Sequence, residues 1–388
     1  MNKSEIPLLL EKYHQQAVTF WETIVNMGGC VSDTDAMLSL AEFLKDEFEK
    51  LGLSCSLIET GPDNPPILVG ANYSEKTCQP VLFTGHYDTV FPFSAYSENR
   101  FHIDGNIARG FGVLDMKGGI AIIWLICKVL QALAADVPLK IVLAGDEESN
   151  RENCDTIRLL KEHTDNCLFA FNMETGCIDR SVCIGRKGVE EYVITTKGVS
   201  SHPGNFYERG RNAILEAAHK IVLMQALTAD DFSYTINVGT IHAGTVSNII
   251  PDLCTFKVDV RFLREKDRLY IKNELEKICA LQFVEGTFTE IQSSGMLPPF
   301  ETFKKEERLF DYLAAIAEKY HLPVPKKKIL GGASDAAYIC QTNTPVLCSM
   351  GVTGENNHSK AEYAEVSSLA ERAELLLYAA LDCHLFKS

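Results

Sequence analysis

Stretches long enough to cross a membrane are missing from this sequence. The longest apolar run, Gly118 to Cys127, is about half of what a spanning helix needs, so no membrane partner is expected. Leu8-Leu9-Leu10 is too short for the apolar part of an export signal, and Glu11 and Lys12 follow at once. The expectation is a soluble, cytoplasmic protein. Cys-x-x-Cys spacing is absent as well. The 13 cysteines are scattered and odd in number, which argues against a disulfide framework and against a thiolate zinc site. They suit small buried apolar positions in a reducing compartment. Basic excess is also lacking: 37 Lys and Arg stand against 52 Asp and Glu, for a net charge of −15. Phosphate backbones select basic faces, so nucleic acid is not an expected partner. Small anionic substrates stay open, because one or two arginines in a cleft override the global balance locally. No internal repeat, low-complexity segment or H-E-x-x-H helix occurs.

What is present suits an ordinary globular protein: 46% of the 388 residues are hydrophobic and 23% charged. Ile6 to Leu51 is helical in pattern, and Gly52 is a stop signal. Strand-like runs follow at Ser54 to Ile58, Pro66 to Gly70 and Pro80 to Thr84. Val81-Leu82-Phe83 is continuously apolar, as expected of a strand buried on both faces. Ile120 to Leu133 reads as a helix, and Leu139 to Ala144 and Cys167 to Asn172 as strands. Alternating strand and helix predicts an α/β domain with a mostly parallel sheet flanked by helices. Near Gly185 the pattern changes. Glu190 to Thr196, Ser233 to Thr240 and Thr255 to Phe262 read as strands, and Asn212 to Leu227 and Arg268 to Ala280 as helices. That order predicts an α+β domain with an antiparallel sheet. The α/β style returns with a helix at Glu307 to Tyr320, a strand at Pro345 to Ser349 and a helix at Ser367 to Leu381. Residues 1–186 and 299–388 therefore read as one domain, interrupted by a second at 187–298.

Chemistry-bearing residues gather where strands are expected to end. Thr84-Gly85-His86-Tyr87-Asp88 follows a buried strand, and the carboxyl ends of parallel strands are where α/β folds place ligands. His86 and Asp88 are two apart, so on an extended chain they point the same way. The carboxylate then fixes the tautomer of a metal-binding imidazole, or the pair is a plain turn contact. Asp115 sits in Gly110 to Gly119, whose glycines permit an unusual backbone path before a helix, and it could span two cations. A dinucleotide loop is not expected there, since no third glycine stands at the required offset. Asp146-Glu147-Glu148 repel one another unless cations neutralise them or water solvates them. In the functional reading one glutamate binds metal and its neighbour moves protons. Glu174 ends another apolar run, and His358 lies in a late polar loop, Gly354 to Glu362. Oxygen and imidazole donors without cysteine suit Zn²⁺, and also Mn²⁺ or Co²⁺.

These segments resemble a known family, the two-zinc exopeptidases and deacylases that include glutamate carboxypeptidase, aminoacylase, succinyl-diaminopimelate desuccinylase and peptidase T. The resemblance spans nearly the whole chain. It rests on Gly85 to Val90, Gly112 to Gly119, Asp146-Glu147-Glu148, Glu174, Gly331-Gly332-Ala333-Ser334-Asp335-Ala336 and Asn357-His358-Ser359. It implies two Zn²⁺ per subunit, with Asp115 bridging, His86 and Glu174 on one metal, and Glu148 and His358 on the other. It also implies Glu147 as general base, Asp88 orienting His86, and a cis peptide after Asp115. Residues 187–298 would be a dimerisation (lid) domain and the remainder the catalytic domain.

The Ser200-Ser201-His202-Pro203-Gly204 segment matches the family's histidine that reaches a partner subunit's site and stabilises an oxyanion. Asn248 and Arg261 resemble the groups that hold a substrate carboxylate, a role that suits the planar fork of arginine. Gly331 and Gly332 would offer backbone amides to the same end. Read without the resemblance, these are a turn histidine, a capped turn and a surface ion pair. Together the implied function is hydrolysis of an amide bond next to a free carboxylate, carboxypeptidase-like with a lean to glutamate, in a homodimer acting on small peptides. The alternatives are an N-acyl or N-carbamoyl amino acid amidohydrolase, or a non-catalytic binder of similar ligands.

Overall fold

Val81, Leu82 and Phe83 are essentially inaccessible to water, because the strand they open is covered on both faces. The computed structural model describes residues 3–73, 79–149, 151 and 154–387. The chain divides into two units, Met1–Ile184 with Thr302–Ile329 and Ser334–Ser388, and Gly185–Glu301 with Leu330–Ala333.

The first unit is built on a six-stranded sheet. Its order is Ser54–Ile58, Ile67–Ala71, Leu139–Ala144, Val81–His86, Phe169–Asn172 and Val346–Leu347. The last four run parallel, and the first two add an antiparallel edge. The strand at 81 runs two residues further than its apolar run predicts. His86 is its last residue, in register with Ala144, and Thr84 lies beside Asn172. The carboxyl ends of three neighbouring strands thus coincide.

Helix Gly118–Ala132 is buried along nearly its whole surface. It packs between Ile6–Met27 and Ser367–Leu381, and these helices form the main core with the sheet. Burial of each large apolar side chain there contributes roughly 1.5–3 kcal/mol. Trp21 is fully buried and donates its indole N–H to Val113 O at 3.0 Å, which fixes the loop ahead of the helix.

A small antiparallel sheet joins Gly354–Glu355, Tyr363–Glu365, Ile107–Arg109 and His102–Asp104. It holds the loop 356–362 at both ends. Each described cysteine is a free thiol, and no helix among the described residues is long and apolar enough to cross a membrane.

The second unit is a four-stranded antiparallel sheet in the order Tyr234–Ala243, Leu253–Phe262, Gly188–Lys197 and Phe288–Leu297. Burial alternates along Gly188–Lys197 and Leu253–Phe262, so one face of each carries the core. Helices Ala213–Gln225 and Glu265–Ala280 supply the opposing residues. Asn212 caps the first of these by accepting the Leu215 N–H at 3.0 Å. Within the core, Lys220 and Glu216 form a buried pair at 3.0 Å, and Glu216 also accepts the Phe283 and Val284 amides. Strand Tyr234–Ala243 is an edge strand. On and beside it Ile241, Leu215 and Val222 lie exposed.

Candidate metal centre

Parallel strands bring residues far apart in sequence to one place. His86 closes its strand, and the Tyr87 N–H bonds Ala144 O at 2.9 Å, so Asp146, Glu147 and Glu148 emerge beside it. On the other side the Met173 N–H bonds Thr84 O at 2.8 Å, which sets Glu174 next to the same strand end. Asp115 comes from the loop between Gly112, in the left-handed region at φ 71°, and the helix at Gly118. The Asp115–Met116 peptide is cis, as the resemblance implies. His358 comes from the loop 356–362 and itself adopts φ 61°.

Three of these groups make one triad. His86 Nε2 is 3.4 Å from Asp115 Oδ1 and 3.7 Å from Glu174 Oε1, and all three residues are buried. A second triad uses the other oxygen of the same aspartate. His358 Nε2 lies 3.2 Å from Asp115 Oδ2 and 2.8 Å from Glu148 Oε1. Within each triad one donor atom per residue lies within 4.8 Å of the others. Asp115 therefore faces both ways, one oxygen to each triad. Asn357 Nδ2 donates to its Oδ2 at 2.8 Å.

The imidazole of His86 is oriented from behind. Its Nδ1 is 3.2 Å from both the carboxylate and the main-chain carbonyl of Asp88, which keeps a proton on Nδ1 and makes Nε2 the nitrogen free to bind a metal. That Nε2 is fully buried and has no hydrogen-bond partner among the described residues. An imidazole nitrogen aimed at two carboxylates, in a site with Glu147 and Glu148 alongside, is satisfied only by a proton or by a metal cation that displaces it. The donor set is imidazole nitrogen and carboxylate oxygen, which fits zinc, manganese or cobalt.

Electrostatics express the same demand for positive charge. Burial pushes Asp115 up, but the His358 and His86 imidazoles against it outweigh that effect and hold the carboxyl well below the usual range. His358 is pushed up to about 10, first by its hydrogen bond to Asp115 and then by Glu148. Burial works against a charged His86, yet Asp115 and Asp88 carry it well above the ordinary imidazole value. Glu147 is moved well above the usual carboxyl range, chiefly by desolvation, and also by the charges of Glu174, Asp335 and Glu148 against the opposing effect of His86. A glutamate so placed binds a proton readily, which is what a general base requires.

Several supporting residues carry no sequence signature. The Arg151 guanidinium forks onto Asp335 at 2.5 and 2.8 Å, and its Nε reaches Asp146 Oδ1 at 3.0 Å. It thus fastens the segment that carries Glu147 and Glu148. Glu362 is buried and accepts three main-chain amides around Asp115. Burial moves it up to about 7. Lys117 is buried, its Nζ has no hydrogen-bond partner among the described residues, and desolvation lowers it to about 7. A carboxylate that accepts backbone amides leaves no spacing pattern, so only the acid in the Asn357-His358-Ser359 loop could have drawn notice to Glu362.

The other five expected residues lie in the second unit. His202 is exposed, and its Nδ1 accepts the Gly204 and Asn205 amides at 3.1 Å, so the ring presents an Nε2–H outward. Asn248 is exposed in the turn after the edge strand. Arg261 is paired along its own strand with Asp259, through Nε at 2.9 Å and Nη2 at 2.9 Å. Gly331 and Gly332 are exposed, and Gly332 O accepts from Arg186 Nη1 at 3.3 Å.

Known proteins resemble this chain over most of its length. Residues 184–287 match the M20 peptidase dimerisation domain. The chain is 26% identical over 363 residues to carboxypeptidase G2 of Pseudomonas sp. strain RS-16, covering 90% of this chain and 85% of that one. It is 23% identical over 351 residues to succinyl-diaminopimelate desuccinylase of Ehrlichia chaffeensis, covering 86% of this chain and 90% of that one. The fold matches the crystal structure of aminopeptidase PepT from Bacillus cereus with a TM-score of 0.82, at 20% identity, over 96% of this chain and 99% of that one. Along almost its whole length the chain is thus similar to peptidases and deacylases of this kind, it carries their dimerisation domain, and it shares their fold.

Proposed function

We propose that this protein is a two-metal hydrolase of amide bonds next to a free carboxylate, carboxypeptidase-like, with small peptides as substrates and a lean to a terminal glutamate. The observation that carries the reading is Asp115, which offers one oxygen to the His86–Glu174 side and the other to the Glu148–His358 side. Zinc is the metal we assign, with manganese or cobalt able to occupy the same donors. When bound, the metals would supply Lewis-acid polarisation of a water and of the scissile carbonyl.

The chain's own residues do the rest. Glu147 takes the proton of the attacking water and later gives it to the leaving amine. Asp88 holds His86 in the tautomer that frees Nε2. The partner subunit's His202 donates its Nε2–H to the oxyanion of the substrate. One such donor is worth roughly 3–4 kcal/mol. Arg261, Asn248 and the amides of Gly331 and Gly332 hold the free carboxylate. For Arg261 this requires sharing or exchanging its bond to Asp259. The matched dimerisation domain and the exposed Leu215, Val222 and Ile241 beside the edge strand support a homodimer. The free cysteines support a cytoplasmic setting.

Metal analysis combined with a panel of dipeptides, N-acyl amino acids and N-carbamoyl amino acids tests the reading. The expected result is two metal ions per chain and turnover of peptides with a free terminal carboxylate, best with glutamate. Turnover confined to N-acyl or N-carbamoyl compounds would move the protein to the amidohydrolases. Full metal occupancy without turnover of any of them would make it a binder.

A further inference from the structure

Glu362 lies four residues beyond His358, at the other end of the same loop and directly before strand Tyr363–Glu365. It is 1% exposed. Its Oε1 accepts the Leu114 N–H at 2.8 Å and the Asp115 N–H at 3.1 Å, and its Oε2 accepts the Gly112 N–H at 3.1 Å. At the near end of the loop Asn357 Nδ2 donates to Asp115 Oδ2 at 2.8 Å. The loop that supplies His358 therefore grips Asp115 twice, once on the side chain and once on the main chain.

A purely structural reading gives Glu362 the task of satisfying three buried amides in a turn. A neutral acceptor would serve that purpose at lower electrostatic cost. A carboxylate instead adds negative charge behind a site that already holds Asp115, Glu148 and Glu174, which is unfavourable for the metal-free protein and favourable once cations are present. Lys117 supplies the local counter-charge. It is buried, its Nζ has no hydrogen-bond partner among the described residues, and Asp88 and Glu362 are the acids whose charges act on it.

We propose that Glu362 is a positioning residue for the metal pair: by clasping the main chain at Gly112, Leu114 and Asp115 it presets the distance between Asp115 and His358, so that both ligands meet the metal without rearrangement. This rests on the two-metal reading above. Asp115 belongs to both triads, so a shift of its main chain disturbs both sites together. Asn357 alone cannot compensate, because it holds the side chain and leaves the peptide free to move.

The test uses the full chain, stripped of metal and titrated with Zn²⁺ against a competing chelator, and separately with Co²⁺ read by its visible absorption. Glu362→Ala should bind Zn²⁺ about 10–100-fold more weakly than the unaltered chain, the range usual for loss of a carboxylate that supports metal ligands. Its Co²⁺ spectrum should change in position or intensity. Glu362→Gln keeps one acceptor oxygen and should recover part of the affinity. Zinc affinity and Co²⁺ spectrum equal to the unaltered chain in Glu362→Ala, with only a lowered Tm, would reduce Glu362 to a structural acceptor and overturn the proposal. If Glu362→Ala does not fold, Glu362→Gln decides alone, and unchanged affinity and spectrum there overturn it equally. Failure of the unaltered chain to bind two metals would instead overturn the two-metal reading itself.

Discussion

Asp88 faces His86 and Glu148 at once: its Oδ1 is 3.2 Å from His86 Nδ1, and its Oδ2 accepts the Glu148 N–H at 2.9 Å. Oδ1 also accepts the Glu147 N–H at 3.1 Å. One fully buried carboxylate thus fixes an imidazole and the main chain of both glutamates. Asparagine has nearly the same shape but only one acceptor atom. Asp88→Asn should leave a buried amide unpaired, at about 1–3 kcal/mol, and release the His86 ring. Zinc affinity and turnover should each fall roughly 10–100-fold while the fold persists. Metal titration beside a thermal melt checks this. Unchanged zinc affinity would show that His86 needs no such support.

Glu147 is absent from both triads that share Asp115, although it joins His86 and Glu148 in a third cluster of possible ligands; the proposed function gives it the proton. Glu147→Gln should keep the two-metal stoichiometry and lose activity by roughly 10²–10⁴-fold, the usual size of general acid–base catalysis. Metal content by elemental analysis and kcat on the best substrate are the two measurements. Loss of metal together with activity would make Glu147 a ligand instead of a base.

His358 makes metal binding depend on pH. Its ring is pushed up to about 10 in the metal-free chain, first by Asp115 and then by Glu148. An imidazole raised on folding stabilises the metal-free protein fully below its unfolded value near 6.5. That contribution is lost as pH rises through about 10. A metal must displace the same proton. Zinc affinity should therefore climb between pH 6.5 and 10 while the metal-free protein loses thermal stability. At pH 8 calorimetry in two buffers of different ionisation enthalpy should find about one proton released from His358 and a second from His86. Release near zero would mean that neither ring is protonated before the metal arrives.

Continuous apolar runs made the central strands legible. Val81-Leu82-Phe83 and Leu139 to Ala144 are buried on both faces, and the helix at Ser367–Leu381 has the bounds its pattern predicts. Strand Phe288–Leu297 was not legible. Its residues are mostly exposed, and its extended shape comes from pairing with Gly188–Lys197 instead of from an alternating pattern. The two- and three-residue strands around His358 escape notice for the same reason. Gly118 and Gly119 read as sites of unusual backbone. The structure puts that need at Gly110 and Gly112, whereas a Cβ on Gly119 would strike the Met173 carbonyl and one on Gly118 the Val352 side chain. Close packing between helix and neighbouring chain is not written in local sequence. The clustered acids and histidines were legible because His86, Glu147, Glu148 and Glu174 follow apolar strand runs, with Asp115 and His358 in loops that meet them. Its supports, Arg151 and Glu362, were not, because they act on the main chain or on a second acid.

His202 already holds the tautomer an oxyanion donor needs, since the Gly204 and Asn205 amides occupy Nδ1. If it serves the partner subunit's site, its loss must be repairable in trans. A Glu147→Gln chain supplies a sound His202, and a His202→Ala chain supplies a sound Glu147. Each homodimer should be nearly inactive. In a mixed C2 dimer one of the two sites combines both sound residues, so random exchange of subunits should restore about a quarter of normal activity. Mixing after mild dissociation, followed by assay and by native mass measurement of the mixed dimer, checks this. Mixed dimers that form without regaining activity would place His202 outside the partner's reaction.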